Sequence, residues 1–360
     1  MNTFDIDKLV RPNVREMAPY SSARDEFEGE AQIYLDANEN SLGSVSNELF
    51  NRYPDPRQNA LRIEVAKLKG IEAEQLFFGN GSDEPIDLLY RAFCQPQKDR
   101  ALIFPPTYGM YKVQANINDT PVDEIPLYDD FSLPLEKIQE VVNPQIKLMF
   151  ICSPNNPSGN LISKASIIDI LQCFKGLVVV DEAYIDFATG NASMVSEINT
   201  YPNLVVLQTF SKAWGMAGLR LGMAFAQKPI IDILNKIKYP YNINQLTQKL
   251  VLDALSNETT KNQIVQTLIS ERKKLEKELV KIKAVHKVYP SDANFLLVRI
   301  EQANLFYKKL TDSGIIVRNR SNVALCDNCL RITVGTPNEN QALIKQMQGI
   351  SLKLLVKNEL

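Results

Sequence analysis

A lysine and three side chains suited to a phosphate stand close together in one segment. Lys212 closely follows the apolar run Leu204–Leu207. Thr209 and Ser211 stand just before it, and Arg220 follows eight residues later. A lysine held at the end of a buried strand loses its proton readily, because desolvation disfavours the ammonium form. Its amine can then form a Schiff base with a carbonyl, while hydroxyls and an arginine suit a phosphate. The segment suggests pyridoxal phosphate, although a surface lysine after a strand fits it equally well.

A carboxylate and a tyrosine follow a second apolar run. Asp181 and Tyr184 come just after Leu177–Val180. A carboxylate at the end of a buried strand needs a cationic partner or several donors. A protonated pyridine nitrogen would be such a partner, with an attraction of roughly 4 kcal/mol at about 4 Å and an effective dielectric near 20, before desolvation. In isolation, Asp181 fits a helix cap or a metal ligand better.

Three further loops follow apolar runs and carry useful side chains. The turn Gly79–Pro85 opens a helical pattern, and its backbone N–H groups can hold a phosphate. Tyr108 offers a ring face for stacking on a planar cofactor. The amide of Asn156 can donate a hydrogen bond to a phenolate-like oxygen. Taken one at a time, these are more simply a capped helix, a packing aromatic residue and a turn.

The elements that must position these residues alternate between strands and helices. The strand-like runs are continuously apolar, as in strands buried on both faces of a mostly parallel sheet. They are Leu76–Phe78, Ala101–Phe104, Leu148–Cys152, Leu177–Val180, Leu204–Leu207 and Gly222–Ala226. Helical periods lie between them, such as Leu61, Val65 and Leu68 ending at Gly70. The pattern predicts a three-layer α/β/α domain with a mostly parallel sheet, which binds ligands beyond the carboxyl ends of its strands.

The pattern changes after about Tyr241. A long helix follows, with its apolar face at Leu268, Leu275, Leu279 and Ile282. The i,i+3 pairs Glu271–Lys274 and Glu278–Lys281 predict a solvated opposite face, and the remaining residues predict a smaller α+β domain. We therefore expect an N-terminal arm packed with the small domain, a large cofactor-binding domain and a small C-terminal domain, at residues 1–35, 36–265 and 266–360.

Composition limits the possible partners. A chain of 360 residues exceeds one typical domain, and 45% hydrophobic with 23% charged residues is ordinary for a globular enzyme. A net charge of −2 gives no reason to expect nucleic acid or an anionic membrane as partner. Met1–Glu30 lacks the apolar core of a signal peptide, and no apolar run reaches the roughly 20 residues that span a bilayer. A cytoplasmic location is the expectation.

The cysteines and the histidine offer little metal chemistry. The 5 cysteines are an odd number, which favours reduced thiols in a chain without an export signal. Cys326 and Cys329 form a single CxxC motif, and zinc would need two further ligands. The only histidine, His286, lies in an alternating strand-like run and is expected at the surface. We predict no metal site.

The order of the strand-end motifs identifies a family. A phosphate turn, a stacking tyrosine, an asparagine loop, Asp-x-x-Tyr and Ser-Lys followed by an arginine occur in that sequence. In this the chain resembles the pyridoxal-phosphate enzymes of the aspartate-aminotransferase superfamily, and among them the subfamily that acts on histidinol phosphate. The resemblance extends from about Val14 to Thr336. The motifs shared with the subfamily are Ala18–Tyr20, Leu35–Asn40, Arg52–Pro54, Pro105–Tyr111 and Leu330–Thr336.

The resemblance implies roles in binding pyridoxal 5'-phosphate. Lys212 would hold it covalently and move the substrate proton, and Asp181 would pair with its ring nitrogen. Tyr108 would stack on the ring. The ring oxygen would be held by Asn156 and Tyr184, and the phosphate by Ser82, Asp83, Thr209, Ser211 and Arg220.

The resemblance also implies how substrates and a second subunit are bound. Tyr53 would reach the neighbour's phosphate across the interface of a homodimer. Arg331 would bind the carboxylate of glutamate or 2-oxoglutarate and the phosphate of the second substrate, with Tyr20, Asn38 and Arg318 assisting. Arg320 lies two residues beyond Arg318. The sequence leaves open which of these two arginines faces the substrate.

The implied reaction is amino transfer between histidinol phosphate and 2-oxoglutarate in histidine biosynthesis. Related enzymes leave two alternatives open, an aminotransferase for aromatic amino acids and a phosphothreonine decarboxylase. A non-catalytic nucleotide-binding protein is a third class. It is disfavoured because the chain has neither a GxGxxG fingerprint in a first βαβ unit nor a P-loop.

Overall fold

The computed structural model describes residues 4–22, 24 and 31–358, with side chains as far as residue 354 in the last helix. Its α-helices are α1 (Pro12–Glu16), α2 (Asn59–Lys69), α3 (Asp83–Phe93), α4 (Met110–Ile117), α5 (Leu135–Val141), α6 (Lys164–Cys173), α7 (Lys228–Ile237), α8 (Gln245–Leu255), α9 (Glu258–Leu279), α10 (Ala303–Asp312) and α11 (Pro337–Asn358). Its strands are β1 (Leu76–Asn80), β2 (Arg100–Ile103), β3 (Val122–Glu124), β4 (Ile146–Cys152), β5 (Leu177–Asp181), β6 (Leu204–Thr209), β7 (Leu221–Phe225), β8 (Val285–Val288), β9 (Phe295–Ile300), β10 (Arg318–Asn319) and β11 (Cys329–Thr333).

The first seven strands form one sheet in the order β1-β7-β6-β5-β4-β2-β3. β7 runs antiparallel to both of its neighbours, and the other pairings are parallel. Each predicted apolar run lies on one of these strands, whereas the short edge strand β3 was not predicted. The three central strands β4, β5 and β6 are buried on both faces, which is why they read as continuously apolar.

Helices cover both faces of this sheet. Alternate residues of β5 point to opposite sides, so Val178 and Val180 join the core beneath α2, α6 and α8, while Leu177 and Val179 join the core beneath α3, α4 and α7. Helix α2 ends as predicted at Gly70, whose φ of +67° is a left-handed cap. The mostly parallel three-layer α/β/α architecture is confirmed.

The last four strands form a separate antiparallel sheet in the order β10-β11-β9-β8. One of its faces packs against α9, α10 and α11 through a core that includes Leu296, Val298, Leu330 and Ile332. The opposite face turns toward the large sheet, and Leu297 and Cys329 belong to the core of that larger unit. The domain boundaries at residues 35 and 265 stay a prediction.

The N-terminal arm does not pack as the sequence suggested. Val10 and Val14 are buried in the core beneath α3 and α7, on the large sheet. Arg11 N donates to Ala92 O at 2.9 Å, and Lys236 Nζ donates to Arg15 O at 2.9 Å. For its described first part, the prediction of packing with the small domain is wrong. The apolar residues of the N-terminal arm pack against an apolar helix face, which only the tertiary structure reveals.

Helix α9 carries the predicted ion pairs but not a fully solvated face. Glu271–Lys274 and Glu278–Lys281 are joined at 2.7 and 2.5 Å. Glu271 and Arg272 are nevertheless buried. Asn340 of α11 donates to Glu271, and Arg272 donates to Ala293 O. The expectation of a solvated charged face is wrong at these two residues, since α11 and the turn before β9 cover them.

No helix within the described ranges is both long and apolar enough to cross a membrane. His286 lies on β8 and is exposed, as predicted.

Candidate active site

One edge of the large sheet gathers most of the residues singled out in the sequence. Strands β1, β2, β4, β5 and β6 run in the same direction, so their carboxyl ends meet there, and β7 begins there. A pocket opens at this edge. It is lined by Gly81, Ser82, Asp83, Tyr108, Cys152, Asn156, Asp181, Ala183, Tyr184, Thr209, Ser211, Lys212, Ala217 and Arg220.

Lys212 lies on the turn that follows β6, and it lines the pocket. Its ammonium lies 5.5 Å from the centroid of the Tyr184 ring. Desolvation lowers the pKa of Lys212, and the positive charge of Arg331 lowers it further. A lysine in these surroundings holds more of the unprotonated, nucleophilic amine at neutral pH than a solvated one.

Asp181 is a buried carboxylate at the end of β5, held by two neutral donors. The Tyr111 hydroxyl donates to its Oδ2 at 2.7 Å, and Ala183 N donates to its Oδ1 at 3.1 Å. Burial raises the pKa of Asp181, and these two hydrogen bonds oppose the rise. Within the described residues it forms no ion pair. The surroundings suit a cationic partner that comes from outside the chain.

Asn156 links the pocket to the small sheet. Its amide oxygen accepts a 2.5 Å hydrogen bond from Arg331 Nη1, and its Nδ2 donates to the Tyr184 hydroxyl oxygen at 3.3 Å. Burial raises the pKa of Tyr184, so its hydroxyl stays protonated. Because the Tyr184 oxygen already accepts from Asn156, its own proton is available to an acceptor in the pocket.

The turn between β1 and α3 brings backbone N–H groups and an arginine together. Gly81 has a φ of +73°, and a Cβ built on it would stand 2.6 Å from Arg220 Nη2. A Cβ on Gly222 would stand 2.3 Å from Gly81 C and Ser82 N. Only glycines permit this close approach. The Ser82 backbone lies at the start of α3, where helix N–H groups favour an anion.

Hydroxyl groups complete this end of the pocket. Thr209 Oγ1 accepts from Ser211 N at 3.1 Å and lies 2.9 Å from Ser211 Oγ. Arg220 stands 3.8 Å from Asp83, and the Tyr108 hydroxyl donates to Asp83 at 3.0 Å. This is a donor-rich cradle of the kind that binds a phosphate group.

Of the five predicted substrate and cofactor residues that do not line this pocket, three line other clefts of the same chain. Tyr20 is 74% exposed and lines a different cleft, beside Pro56. Asn38 and Tyr53 line another cleft with Tyr241, on which the Tyr53 ring stacks at 4.4 Å. The roles expected for them therefore require either a second subunit or a change in the position of these segments.

The two candidate arginines at the end of β10 differ in their surroundings. Arg318 is exposed, whereas Arg320 is half-buried. Desolvation lowers the pKa of Arg320, and the positive charge of Arg331 lowers it further. Arg331 lies in the middle of β11.

Tyr111 is the residue that the sequence analysis missed. It lies within the motif Pro105–Tyr111, but only Tyr108 was given a role. Tyr111 is fully buried, stacks on Phe150 at 4.8 Å and directs its hydroxyl at Asp181. Its position three residues after Tyr108 was the available signal, although spacing does not reveal a partner 70 residues away.

Comparisons with known proteins agree on one family. The family model for aminotransferase class I and II matches residues 30–347. A histidinol-phosphate aminotransferase from Cytophaga hutchinsonii is 52% identical over 95% of this chain and 98% of its own length. One from Parabacteroides distasonis is 51% identical over 97% and 99%. Among solved structures, the histidinol-phosphate aminotransferase from Clostridium acetobutylicum superimposes with a TM-score of 0.79 at 25% identity, covering 84% of this chain and 92% of that one.

Proposed function

Because the chain belongs to the histidinol-phosphate aminotransferases of aminotransferase class I and II, we propose that it transfers an amino group between histidinol phosphate and 2-oxoglutarate. The products are imidazole-acetol phosphate and glutamate, and the reaction belongs to histidine biosynthesis. The observation that carries the proposal is the meeting of Lys212 and Asp181 in one pocket, with a phosphate cradle at one end and Arg331 beside Asn156 at the other.

The residues of the pocket fit pyridoxal 5'-phosphate. Asp181 is a buried carboxylate with neutral donors only, and a protonated ring nitrogen is the cation that such a group requires. The phosphate would lie on the backbone N–H groups of Ser82 and Asp83, with Thr209, Ser211 and Arg220 around it. The Tyr184 hydroxyl and the Asn156 amide would hold the ring oxygen, and Tyr108 would stack on the ring.

The side chains of the pocket would have separate roles in the reaction. When bound, the cofactor supplies an electron sink for the carbon that loses its proton. Lys212, whose pKa desolvation lowers, would take that proton and return it during transfer. Asp181 would hold the charge on the ring nitrogen, and Tyr184 would hold the ring oxygen.

Arg331 would anchor the anionic end of each substrate. Its guanidinium is directed at Asn156 and its Nε, although buried, has no acceptor within the described part of the chain. A planar fork of donors suits both a carboxylate and a phosphate. One arginine can therefore serve glutamate and histidinol phosphate in turn.

A homodimer is part of the proposal. Large apolar side chains stand exposed on the segment that carries Tyr53, including Leu35 at 84%, Leu42 at 99% and Leu49 at 73%. A patch of this kind marks a protein–protein contact. A second copy of the chain would cover it and bring Tyr53 to the phosphate of the neighbouring pocket. A cytoplasmic location stays the prediction made from the sequence.

Half-reactions test the substrate. Protein loaded with the cofactor is mixed in turn with histidinol phosphate, phenylalanine and phosphothreonine, and conversion of the cofactor to its amine form is followed by absorbance. Histidinol phosphate should react with the highest kcat/KM. Reaction with phenylalanine alone would support the aromatic alternative, and release of carbon dioxide from phosphothreonine would support the decarboxylase.

A lysine variant tests the covalent site. Borohydride reduction should fix the cofactor on the peptide that contains Lys212, as detected by mass spectrometry. The Lys212→Ala variant should yield no such peptide, and Lys236→Ala, which removes an ammonium outside the pocket, should yield it unchanged. Attachment elsewhere in the wild-type protein would refute the assignment.

A further inference from the structure

One lysine of α9 contacts both of the loops that carry Tyr184 and Lys212. Asp186 comes two residues after Tyr184, and Trp214 comes two residues after Lys212. The ammonium of Lys261 donates to Asp186 Oδ1 at 3.0 Å. The same ammonium lies 5.4 Å from the centroid of the Trp214 ring. A single side chain therefore joins the segment that follows β5 to the segment that follows β6.

These contacts of Lys261 are shielded from solvent. Its side chain is 11% exposed, and that of Asp186 is 20% exposed. Trp214 also packs against Phe210, with ring centroids 5.4 Å apart. A cation is attracted to an indole ring most strongly where water is excluded. Salt screens such a site only weakly, so both contacts persist at physiological ionic strength.

Apolar residues of α9 lie beside Lys261. Val265 follows one turn later on the same face of the helix. It belongs to an apolar cluster with Ile269, Tyr184 and Ala213. Apolar contacts are non-directional, so they hold the two loops together without fixing how far apart the polar groups lie. A hydrogen-bonded ion pair prefers one distance and one angle, and it supplies the constraint that the cluster lacks.

The spacing that this constraint would control is the one between Lys212 and Tyr184. The Lys212 ammonium lies 5.5 Å from the centroid of the Tyr184 ring, and both groups would act on one bound cofactor. Desolvation is the largest cause of the lowered pKa of Lys212, and the charge of Arg331 is the next. The effect of Lys261 would therefore come through the position of the loop.

We propose that Lys261 is a positioning residue, which fixes the loop of Lys212 against the loop of Tyr184. It does not line the pocket. The inference rests on the proposed function, because the spacing of the two groups matters only if they act on one bound molecule. A displacement of about 1 Å can slow a reaction by about 100-fold, so a residue outside the pocket can control the rate.

Trp214 allows a test before any cofactor is added. It is the only tryptophan of the chain, so the tryptophan fluorescence of the cofactor-free protein comes from the loop of Lys212. Lys261→Met keeps a long side chain without the charge, and it should increase the quenching of this fluorescence by acrylamide. Lys261→Arg should restore the wild-type quenching, because a guanidinium both pairs with a carboxylate and stacks on an aromatic ring.

Kinetics of the holoenzyme test the consequence for the reaction. In Lys261→Met, kcat with glutamate should fall about 10-fold, whereas KM should change less than kcat because the anion site at Arg331 is intact. Asp186→Asn should have the same effect. The double variant should be no worse than either single variant, since the two side chains act as one unit. Lys274→Met breaks another ion pair of α9, with Glu271, and should change neither kcat nor the quenching.

The outcomes distinguish this inference from the proposed function. Unchanged quenching in Lys261→Met, additive losses of kcat in the double variant, or no recovery in Lys261→Arg would overturn the positioning role. A wild-type holoenzyme that reacts with neither glutamate nor histidinol phosphate would refute the proposed function. The quenching of Trp214 would then still decide whether Lys261 holds the loop.

Discussion

The Tyr111 hydroxyl donates a 2.7 Å hydrogen bond to Asp181 Oδ2 inside the core of the large sheet. Tyr111 is held in place by stacking on Phe150 and by Tyr90, whose hydroxyl donates to Tyr111 O at 3.0 Å. The hydrogen bond opposes the effect of burial on the pKa of Asp181. It therefore helps to keep this carboxylate ionised and correctly oriented.

Removing that hydroxyl should weaken the hold on the cofactor. In Tyr111→Phe the pKa of Asp181 should rise further, and the cofactor should dissociate about 10-fold more readily, as expected for the loss of roughly 1.5 kcal/mol from a hydrogen bond to a charged group. Equilibrium titration with pyridoxal phosphate measures this. Tyr90→Phe also loses a buried hydroxyl, and should lower stability without changing cofactor affinity. Equal cofactor affinity in both variants would exclude a role for Tyr111 in positioning Asp181.

The close contact at Gly222 predicts a second loss of cofactor binding. A Cβ there would stand 2.3 Å from backbone atoms of Gly81 and Ser82. Because backbone cannot swing aside, Gly222→Ala should displace the phosphate turn, lower the free energy of unfolding by about 1–3 kcal/mol and weaken cofactor binding. Gly218→Ala, with open space around its Cβ, is the matched control for calorimetry and titration.

Arg331 should be needed for both substrates. Arg331→Ala removes the guanidinium that contacts Asn156, and kcat/KM should fall about 10- to 100-fold for glutamate and for histidinol phosphate alike, as expected for one lost charge-assisted contact. Steady-state kinetics with each substrate checks this. An unchanged value for either substrate would contradict a shared anion site.

Glu182 predicts a dependence of stability on pH. Burial raises its pKa from 4.5 to about 7, although Ser193, Met194 N and Gln208 donate to it. The folded state therefore binds more protons than the unfolded state between these values, and stability falls as pH rises through this window. The contribution of Glu182 should decrease by up to about 3 kcal/mol.

Urea denaturation at pH 5 and pH 8 measures this contribution. The stability difference between wild type and Glu182→Gln should shrink, or change sign in favour of the variant, at the higher pH, because glutamine does not titrate. A difference that is the same at both values would show that Glu182 titrates normally in the folded protein.

The proposed contribution of Tyr53 to the neighbouring subunit's pocket can be tested by mixing two defective variants. Tyr53→Phe keeps the stacking on Tyr241 but loses the hydroxyl, and Lys212→Ala loses the amine. If Tyr53 serves the neighbouring pocket, random mixing should restore about a quarter of the native sites. Activity at limiting cofactor measures this recovery. If Tyr53 serves its own pocket, no hybrid contains an intact site and the mixture gains nothing.

The local periodicity of the sequence was enough to predict the three-layer fold. Strands buried on both faces must be apolar along their whole length, so Leu148–Cys152 and Leu177–Val180 were readable without a structure. Parallel strands bring their carboxyl ends to one edge of the sheet. Because Lys212, Asp181 and Asn156 each come after such a run, the sequence also predicted that they meet in one pocket.

Contacts between distant segments were decided only by the tertiary structure. The hydrogen bonds from Arg331 to Asn156 and from Tyr111 to Asp181 depend on how the two sheets and helix α4 pack together. Sequence spacing does not predict this packing. The same holds for Arg320, whose chemistry equals that of Arg318. The two arginines differ only in strand register and burial. Both depend on residues from elsewhere in the chain that pack against them.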